Sequence, residues 1–479
     1  MLGKSKNLVK NFFSLCPHGY EQIVSLLFLG ILIRIVVGFY TSHPNDEEVW
    51  YITAVNMLSG QGSPYGTRYF SYPPVWAYIY LPFVSIGSLF SNPYLFSIRA
   101  NLNETVVPIM SPLFGTVVPI MSPLFNFVVK LPIIIGDIFV GLIIYRVVSN
   151  FKNEQVARKA FIFWFLNPFV IYTGAMIAQF DVLPALTSLL ALVLFMERKY
   201  FLAGISLSIG IMTKIYPVYF IPLYLTFFFK SDSSKKIEWK KNIFRLIPFL
   251  AGILLTGIVL LLPILAFNSF PYFFEGNFRR GEYITSIGGL TPWTLIYLFE
   301  GGFEWIIDYD RAQIIYIALY ILQVSGIALV SFHFGFRSGQ EQHLKSFLRG
   351  HVCILALIFL TLLTVNPQYF IWVAPFLILG YGLYGDYKIK LSILSASACF
   401  LAFYWAYPFY PIIVFVNKEI GMTLYNALNL ATNPIGFPLV IFFGLLGAVT
   451  ILLLPFPTPK ISRLKNLLTR HRDEENFAE

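Results

Sequence analysis

The sequence predicts an all-α, multi-pass membrane protein, a bundle of about twelve transmembrane helices with a large first outer loop that contains membrane-parallel helices. Three observations carry this. Of 479 residues, 57% are apolar and 12% charged, against roughly 45–50% and about 25% in an ordinary soluble domain; mean hydropathy is +0.70. Apolar runs of spanning length recur along the chain, whereas no alternating strand pattern does, and lipid leaves helices as the element that satisfies its own backbone. Finally, Lys and Arg gather in alternate connections, as the positive-inside rule requires of cytoplasmic loops. This composition excludes a disordered chain, a coiled coil, collagen and a disulfide scaffold.

The segments 1–21 form a basic cytoplasmic terminus with Lys4, Lys6 and Lys10, followed by a first span at 22–40 with no small-residue cleavage site after it, hence a signal anchor. Residues 41–125 form the large outer loop, the expected catalytic segment. The bundle occupies 126–455, with spans near 126–148, 159–177, 182–197, 200–214, 216–229, 246–267, 312–332, 350–365, 369–385, 391–408 and 434–455, and an outer loop at 268–311. A basic cytoplasmic tail, 456–479, closes the chain. With both termini cytoplasmic, most of the 34 Lys and Arg fall on the cytoplasmic side. The net charge of +10 therefore reflects membrane orientation, and nucleic acid is not an expected partner.

Residues 74–90 would reverse every later loop if they crossed, so they are expected to lie in or dip into the outer leaflet. The alternative is a hairpin returning through 105–125. That return is unusual: TVVPIMSPLF at 105–114 recurs at 116–125, and two prolines per copy make a poor helix. The duplication is read as a local event in a tolerant loop. Cys16, Cys353 and Cys399 are far apart and are expected to be small buried hydrophobes. Neither a GxSxG nor an HExxH motif occurs, and the six His form no metal-type cluster; no metal and no cofactor are expected.

Polar residues of the outer side collect in a few places: Asp46, Glu47 and Glu48 with the stretch 60–74; the turn Gln179-Phe180-Asp181; Lys214 before Tyr216-Pro217; Arg279 and Arg280; and Asn366-Pro367-Gln368-Tyr369. Acids also suit a helix first turn, but ionisable groups next to lipid are costly and mark paired or functional positions. Arg34 and Asp137, inside spans, fit a helix-to-helix ion pair equally well. Asn103-Glu104-Thr105 is an N-glycosylation sequon on the expected outer side.

The order Asp46-Glu47, SPY at 63–65, Tyr72-Pro73-Pro74, LNPF at 166–169, Asp181, MTKIYPVYFIPLYL at 212–225 and NPQYFIWVAPFLI at 366–378 resembles the catalytic subunit of GPI mannosyltransferase I. More broadly, it resembles prokaryotic polyprenyl-phosphate-sugar-dependent mannosyltransferases of the GT-C fold. The likeness runs over roughly 22–385. It implies a GT-C-like bundle and inverting transfer of a mannosyl or other hexosyl group from a polyprenyl-phosphate sugar to a lipid-linked glycan or glycolipid. It also implies membrane lipid and a small membrane subunit as partners. Asp46 stands where the family's first-loop catalytic Asp stands. Because His43-Pro44-Asn45-Asp46-Glu47 departs from the family's Asp-x-Asp or His-Pro-Asp-Glu, the base is assignable to Asp46 or Glu47.

The chemistry fits those residue types. An acceptor hydroxyl loses its proton as it attacks the anomeric carbon, and a carboxylate can take it. The departing phosphate needs cations, for which Arg279, Arg280 and Lys214 are candidates. Asp181, Tyr72, Trp76 and Gln368 are candidate substrate contacts, although Tyr72, Trp76 and Tyr78 also suit interfacial anchoring. A transporter or flippase of lipid-linked sugars is the alternative; it would place ionisable residues at midplane in two related halves, and no such half-repeat is present. Residue usage suits a cell membrane, with the endoplasmic reticulum membrane as the alternative.

Overall fold

The computed structural model describes residues 21–41, 44–66, 70–99, 117–229, 239–278, 288–289, 309–336, 343–362 and 364–406. The N-terminal basic segment, the first copy of the repeat, the Asn103 sequon, Arg279 and Arg280, the run 434–455 and the basic tail lie outside the described residues.

The architecture is mostly helical. In chain order it comprises α1 (Glu21–Phe39), α2 (Pro44–Asn56), α3 (Val75–Phe90), α4 (Pro123–Phe151), α5 (Glu154–Phe165) and the short α6 (Pro168–Ile171). These are followed by α7 (Val182–Met196), α8 (Tyr200–Thr213), α9 (Ile221–Phe228), α10 (Trp239–Ala266) and α11 (Phe270–Phe278). The last are α12 (Tyr309–Phe336), α13 (His343–Thr361), α14 (Phe370–Tyr384) and α15 (Tyr387–Ala406). Four described helices are long and apolar enough to cross a membrane, within Pro123–Phe151, Asn242–Ala266, Ile317–Gly335 and Leu344–Thr361. Shorter apolar helices include Val182–Met196 and Tyr200–Thr213. The expectation of about twelve crossings thus exceeds what helix length alone supports among the described residues.

The predicted run 159–177 is not one helix. α5 ends at Phe165, and Asn167 caps the next helix: it accepts the Phe169 N–H on its side chain at 2.9 Å and is followed by Pro168 at the first position of α6. Proline suits that position, where its missing N–H is not needed. α6 then passes into a π-helical turn, Tyr172–Met176. The run 74–90 forms α3, whose 16 residues span about 24 Å at 1.5 Å per residue, less than the roughly 30 Å hydrocarbon core.

Two short pairings depart from the all-helical expectation. β1 (Tyr94–Arg99) pairs antiparallel with β2 (Val117–Met121). β3 (Gly288–Gly289) lies parallel to β4 (Thr364–Val365). β2 belongs to the second repeat copy, so a helical return through 105–125 is contradicted there. β-branched Val117, Val118 and Ile120 favour extended backbone, and Pro119 opposes a helix interior. The same copy then supplies Ser122 and Pro123, which open α4.

α4 is the spine, packing against α1, α3, α5, α7 and α14. Inside it, Arg34 of α1 meets Asp137 at 3.1 Å, both fully buried. Arg34 also donates to the Phe165 carbonyl at 2.8 Å and lies 4.1 Å over the Phe165 ring. The ion-pair reading of these two residues therefore describes their contact. α8 and α10 approach backbone to backbone at Gly204 and Gly252, where a Cβ on either would collide with the Phe249 or Phe201 carbonyl oxygen. By contrast, α10 and α12 turn Leu254, Val259 and Leu329 outward. Such continuous apolar faces are stable against lipid and not against water. The chain is a membrane protein.

Candidate functional site

α2 carries the first-loop acids in its first turn, where the helix dipole favours them. Consecutive helical residues diverge by about 100°, so Asp46 and Glu47 cannot face the same way. Glu47 is fully buried and lies 3.4 Å from Lys130 of α4, also fully buried. The Lys130 ammonium further donates to the carbonyls of Thr41 at 2.6 Å and Met176 at 3.1 Å, and the Asn126 amide donates to Thr41 as well. Glu47 thus helps tie the start of α2 to α4 and to the π turn.

Asp46 is half-buried and points the other way. Its Oδ2 accepts from Gln179 Nε2 at 2.6 Å. Gln179 sits just past the π turn, after Ala178, whose φ of 57° is left-handed. A non-glycine residue there costs about 1–3 kcal/mol, and the bend it makes aims Gln179 at α2. Behind Gln179, Gln368 Nε2 approaches its Oε1 at 3.5 Å. Gln368 lies in the 3-10 turn Pro367–Tyr369, directly after β4.

Two residues beyond Gln179, Asp181 is fully buried. Its Oδ1 accepts from Lys214 Nζ at 2.6 Å and from the Trp372 indole N–H; its Oδ2 has no hydrogen-bond partner among the described residues. Lys214 closes α8, and its ammonium is ringed by Tyr369 at 4.5 Å, Trp372 at 5.1 Å, Phe180 at 5.4 Å and Tyr72 at 5.8 Å. Cation–π attraction adds to the ion pair. Tyr216 and Tyr369 both stack on Trp372, at 4.1 and 4.0 Å between centroids.

Tyr72 packs edge-on against Phe180 at 5.1 Å, and its carbonyl accepts the Tyr65 phenol at 2.7 Å. Burial pushes the Tyr65 hydroxyl well above the usual tyrosine range, which keeps it a neutral donor. Trp76 is fully buried, stacked on Phe180 at 4.8 Å and edge-on to Trp50 at 5.2 Å. Both sequence readings of Trp76, substrate contact and interfacial anchor, need an exposed ring. Its burial makes it instead a support for Phe180.

The structure therefore gathers Asp46, Gln179, Asp181, Lys214, Tyr72 and Gln368 around one turn. It turns Glu47 into a separate buried network. Among the described residues, no group of three or more His, Cys, Asp or Glu could hold a metal ion. Sequence reasoning named Gln179 only as part of a polar turn and gave no role to Gln179, Trp372 or Lys130. The clue for Gln179 was its place in a polar turn between apolar runs; for Trp372 it was the NPQYFIW stretch.

The model of glycosyltransferase family 87 matches residues 108–367, more than half of the chain. The chain belongs to glycosyltransferase family 87. Within the family 87 match lie Gln179, Asp181, Lys214, Arg279 and Arg280; Asp46, Tyr72 and Trp76 precede it, and Gln368 follows its last residue. No curated protein matches the chain. A crystal structure of the Archaeoglobus fulgidus oligosaccharyltransferase in the apo form is similar at 12% identity with a TM-score of 0.34, covering 88% of this chain and 56% of that one. The chain thus spans just over half the length of that relative.

Proposed function

We propose that this family 87 chain is a membrane glycosyltransferase of the GT-C type. It transfers a hexosyl group, mannosyl by its resemblance, from a polyprenyl-phosphate sugar to a hydroxyl of a lipid-linked glycan or glycolipid. The work is done at the outer face of a cell membrane, both termini being cytoplasmic. The observation that carries this reading is the half-buried Asp46 carboxylate, held by Gln179 next to the Asp181–Lys214 pair.

The acceptor oxygen attacks the anomeric carbon as the bond from that carbon to the donor phosphate oxygen breaks, inverting the centre. Asp46 takes the acceptor proton, a service a placed carboxylate performs well. The electron pair of the broken bond leaves on the polyprenyl phosphate, which needs cations and not an acid. Arg279 and Arg280 supply planar forks, and Lys214, its charge balanced by Asp181, supplies a further donor. Asp181, fully buried, holds Lys214 in place for the sugar phosphate, and Tyr72 offers a ring to a sugar face. Glu47 holds α2 and takes no part in proton transfer.

The test is donor choice. The purified chain, reconstituted with a lipid extract as acceptor source, receives radiolabelled polyprenyl-phosphate mannose, polyprenyl-phosphate glucose or GDP-mannose. Label is expected in glycolipid from a lipid-phosphate sugar. Transfer from GDP-mannose alone would overturn the reading.

A further inference from the structure

Within the reading of Asp46 as the base, we infer that Gln179 is the residue that positions it, with Gln368 backing the Gln179 amide from behind.

A carboxylate can only accept hydrogen bonds, whereas a carboxamide donates through nitrogen and accepts through oxygen. The 2.6 Å contact with Asp46 Oδ2 must therefore be made by Gln179 Nε2. That leaves Gln179 Oε1 facing Gln368, which must present its own amide nitrogen, at 3.5 Å. The chain of donors runs one way, from Gln368 to Gln179 to Asp46. A flipped Gln179 would set its oxygen against the Asp46 oxygen and its nitrogen against the Gln368 nitrogen, so the acceptor-only carboxylate sets the direction and Gln368 completes it.

The backbone is built around this arrangement. Gln179 is buried, so its side chain has little room to choose another rotamer. Its own N–H is spent on the Thr173 carbonyl at 2.8 Å, inside the π turn. The left-handed Ala178 precedes it, with its N–H on the Gly174 carbonyl at 3.1 Å. A π turn and a strained non-glycine residue in succession are costly local choices, and such costs persist where surrounding contacts over-determine them. Here they deliver one amide to one carboxylate. Asp46 Oδ2 is thereby occupied and its plane set, which leaves the carboxylate oriented before an acceptor arrives. On an enzyme, a displacement of about 1 Å at such a group costs on the order of a hundredfold in rate.

The experiment is a double-mutant cycle on the full chain with a polyprenyl-phosphate hexose donor, comparing Gln179→Leu, Asp46→Asn and the double variant. Gln179→Glu is the second probe. It keeps the shape and replaces the amide donor by a second carboxyl group against Asp46 Oδ2. Gln179→Leu and Gln179→Glu are each expected to lower kcat by about 10–100-fold while changing donor KM by less than about threefold, the pattern of a lost transition-state interaction. In the Asp46→Asn background, Gln179→Leu is expected to change the residual rate by less than about threefold, because residues acting as one unit are non-additive. Gln368→Leu is expected to give a smaller fall in kcat of the same kind. Full multiplication of the two losses, or an effect on KM alone, would overturn the positioning role while leaving Asp46 as base. Full activity of Asp46→Asn would overturn the base itself, whatever Gln179 does.

Discussion

Lys214 and Asp181, 33 residues apart in sequence, meet at 2.6 Å inside a ring of aromatic side chains. Asp181 is 1% exposed and Lys214 12%. Breaking a buried pair by removing one partner costs about 3–5 kcal/mol, more than replacing both. Lys214→Met alone is therefore expected to lose more thermal stability in detergent than Lys214→Met combined with Asp181→Asn. Size-exclusion profiles after heating measure this. A double variant less stable than the single one would show that the pair is not the main restraint.

The crossing of α8 and α10 depends on two absent side chains. Gly204→Leu is expected to force the helices apart and lower stability by several kcal/mol, since the obstacle is the Phe249 backbone and close-packed interiors do not yield cheaply. Gly257→Ala, on α10, meets only Ser208 Oγ at 3.7 Å and is expected to be nearly silent. Comparing the melting of the two variants isolates the crossing from helix propensity.

Orientation has a direct test. Single cysteines at Gln61, which is exposed, and Asn277 are expected to react with a membrane-impermeant thiol reagent in intact cells. Cysteines at Ser233 and Ser338 are expected to react only after permeabilisation. Labelling of position 233 from outside would invert the topology and put the proposed site on the cytoplasmic face.

The donor-phosphate assignment rests on Arg279 and Arg280, which follow α11 in the sequence, and on Lys214. Arg280→Ala is expected to lower kcat/KM for a lipid-phosphate sugar by at least about tenfold, or roughly 1.4 kcal/mol. Arg280→Lys should restore part of it, because the charge returns without the fork. Unchanged donor kinetics for Arg279→Ala, Arg280→Ala and Lys214→Ala together would remove the proposed phosphate ligands.

Much of the helical framework was legible because lipid selects by apolar length: the run at 126–148 lies inside α4, and those at 182–197 and 200–214 match α7 and α8 within a residue. The break at Asn167-Pro168 was written in the LNPF stretch, but its capping role appears only with the Asn167 contact to Phe169. β2 was hidden by its surroundings, since an extended segment beside prolines resembles an ordinary loop. At the site, Asp46, Asp181, Lys214 and Gln368 were visible as polar residues flanked by apolar runs, and the structure brings them together. What periodicity could not convey was direction. Asp46 and Glu47 are neighbours in sequence, and only the start of α2 at Pro44 decides that one meets Gln179 and the other Lys130. The left-handed turn at Ala178 has no sequence signal either, because alanine carries none of glycine's conformational freedom.

The central claim is that the Asp46 carboxylate accepts the acceptor's proton during sugar transfer. Single-turnover transfer from a radiolabelled polyprenyl-phosphate hexose, measured for the parent chain, Asp46→Asn and Glu47→Gln at matched folding, tests it most directly. Asp46→Asn should fold like the parent, bind donor normally and slow transfer by a factor on the order of 10²–10⁴, the usual contribution of a general base. Glu47→Gln should slow transfer far less and show its effect chiefly in stability. Transfer at the parent rate by Asp46→Asn would contradict the account.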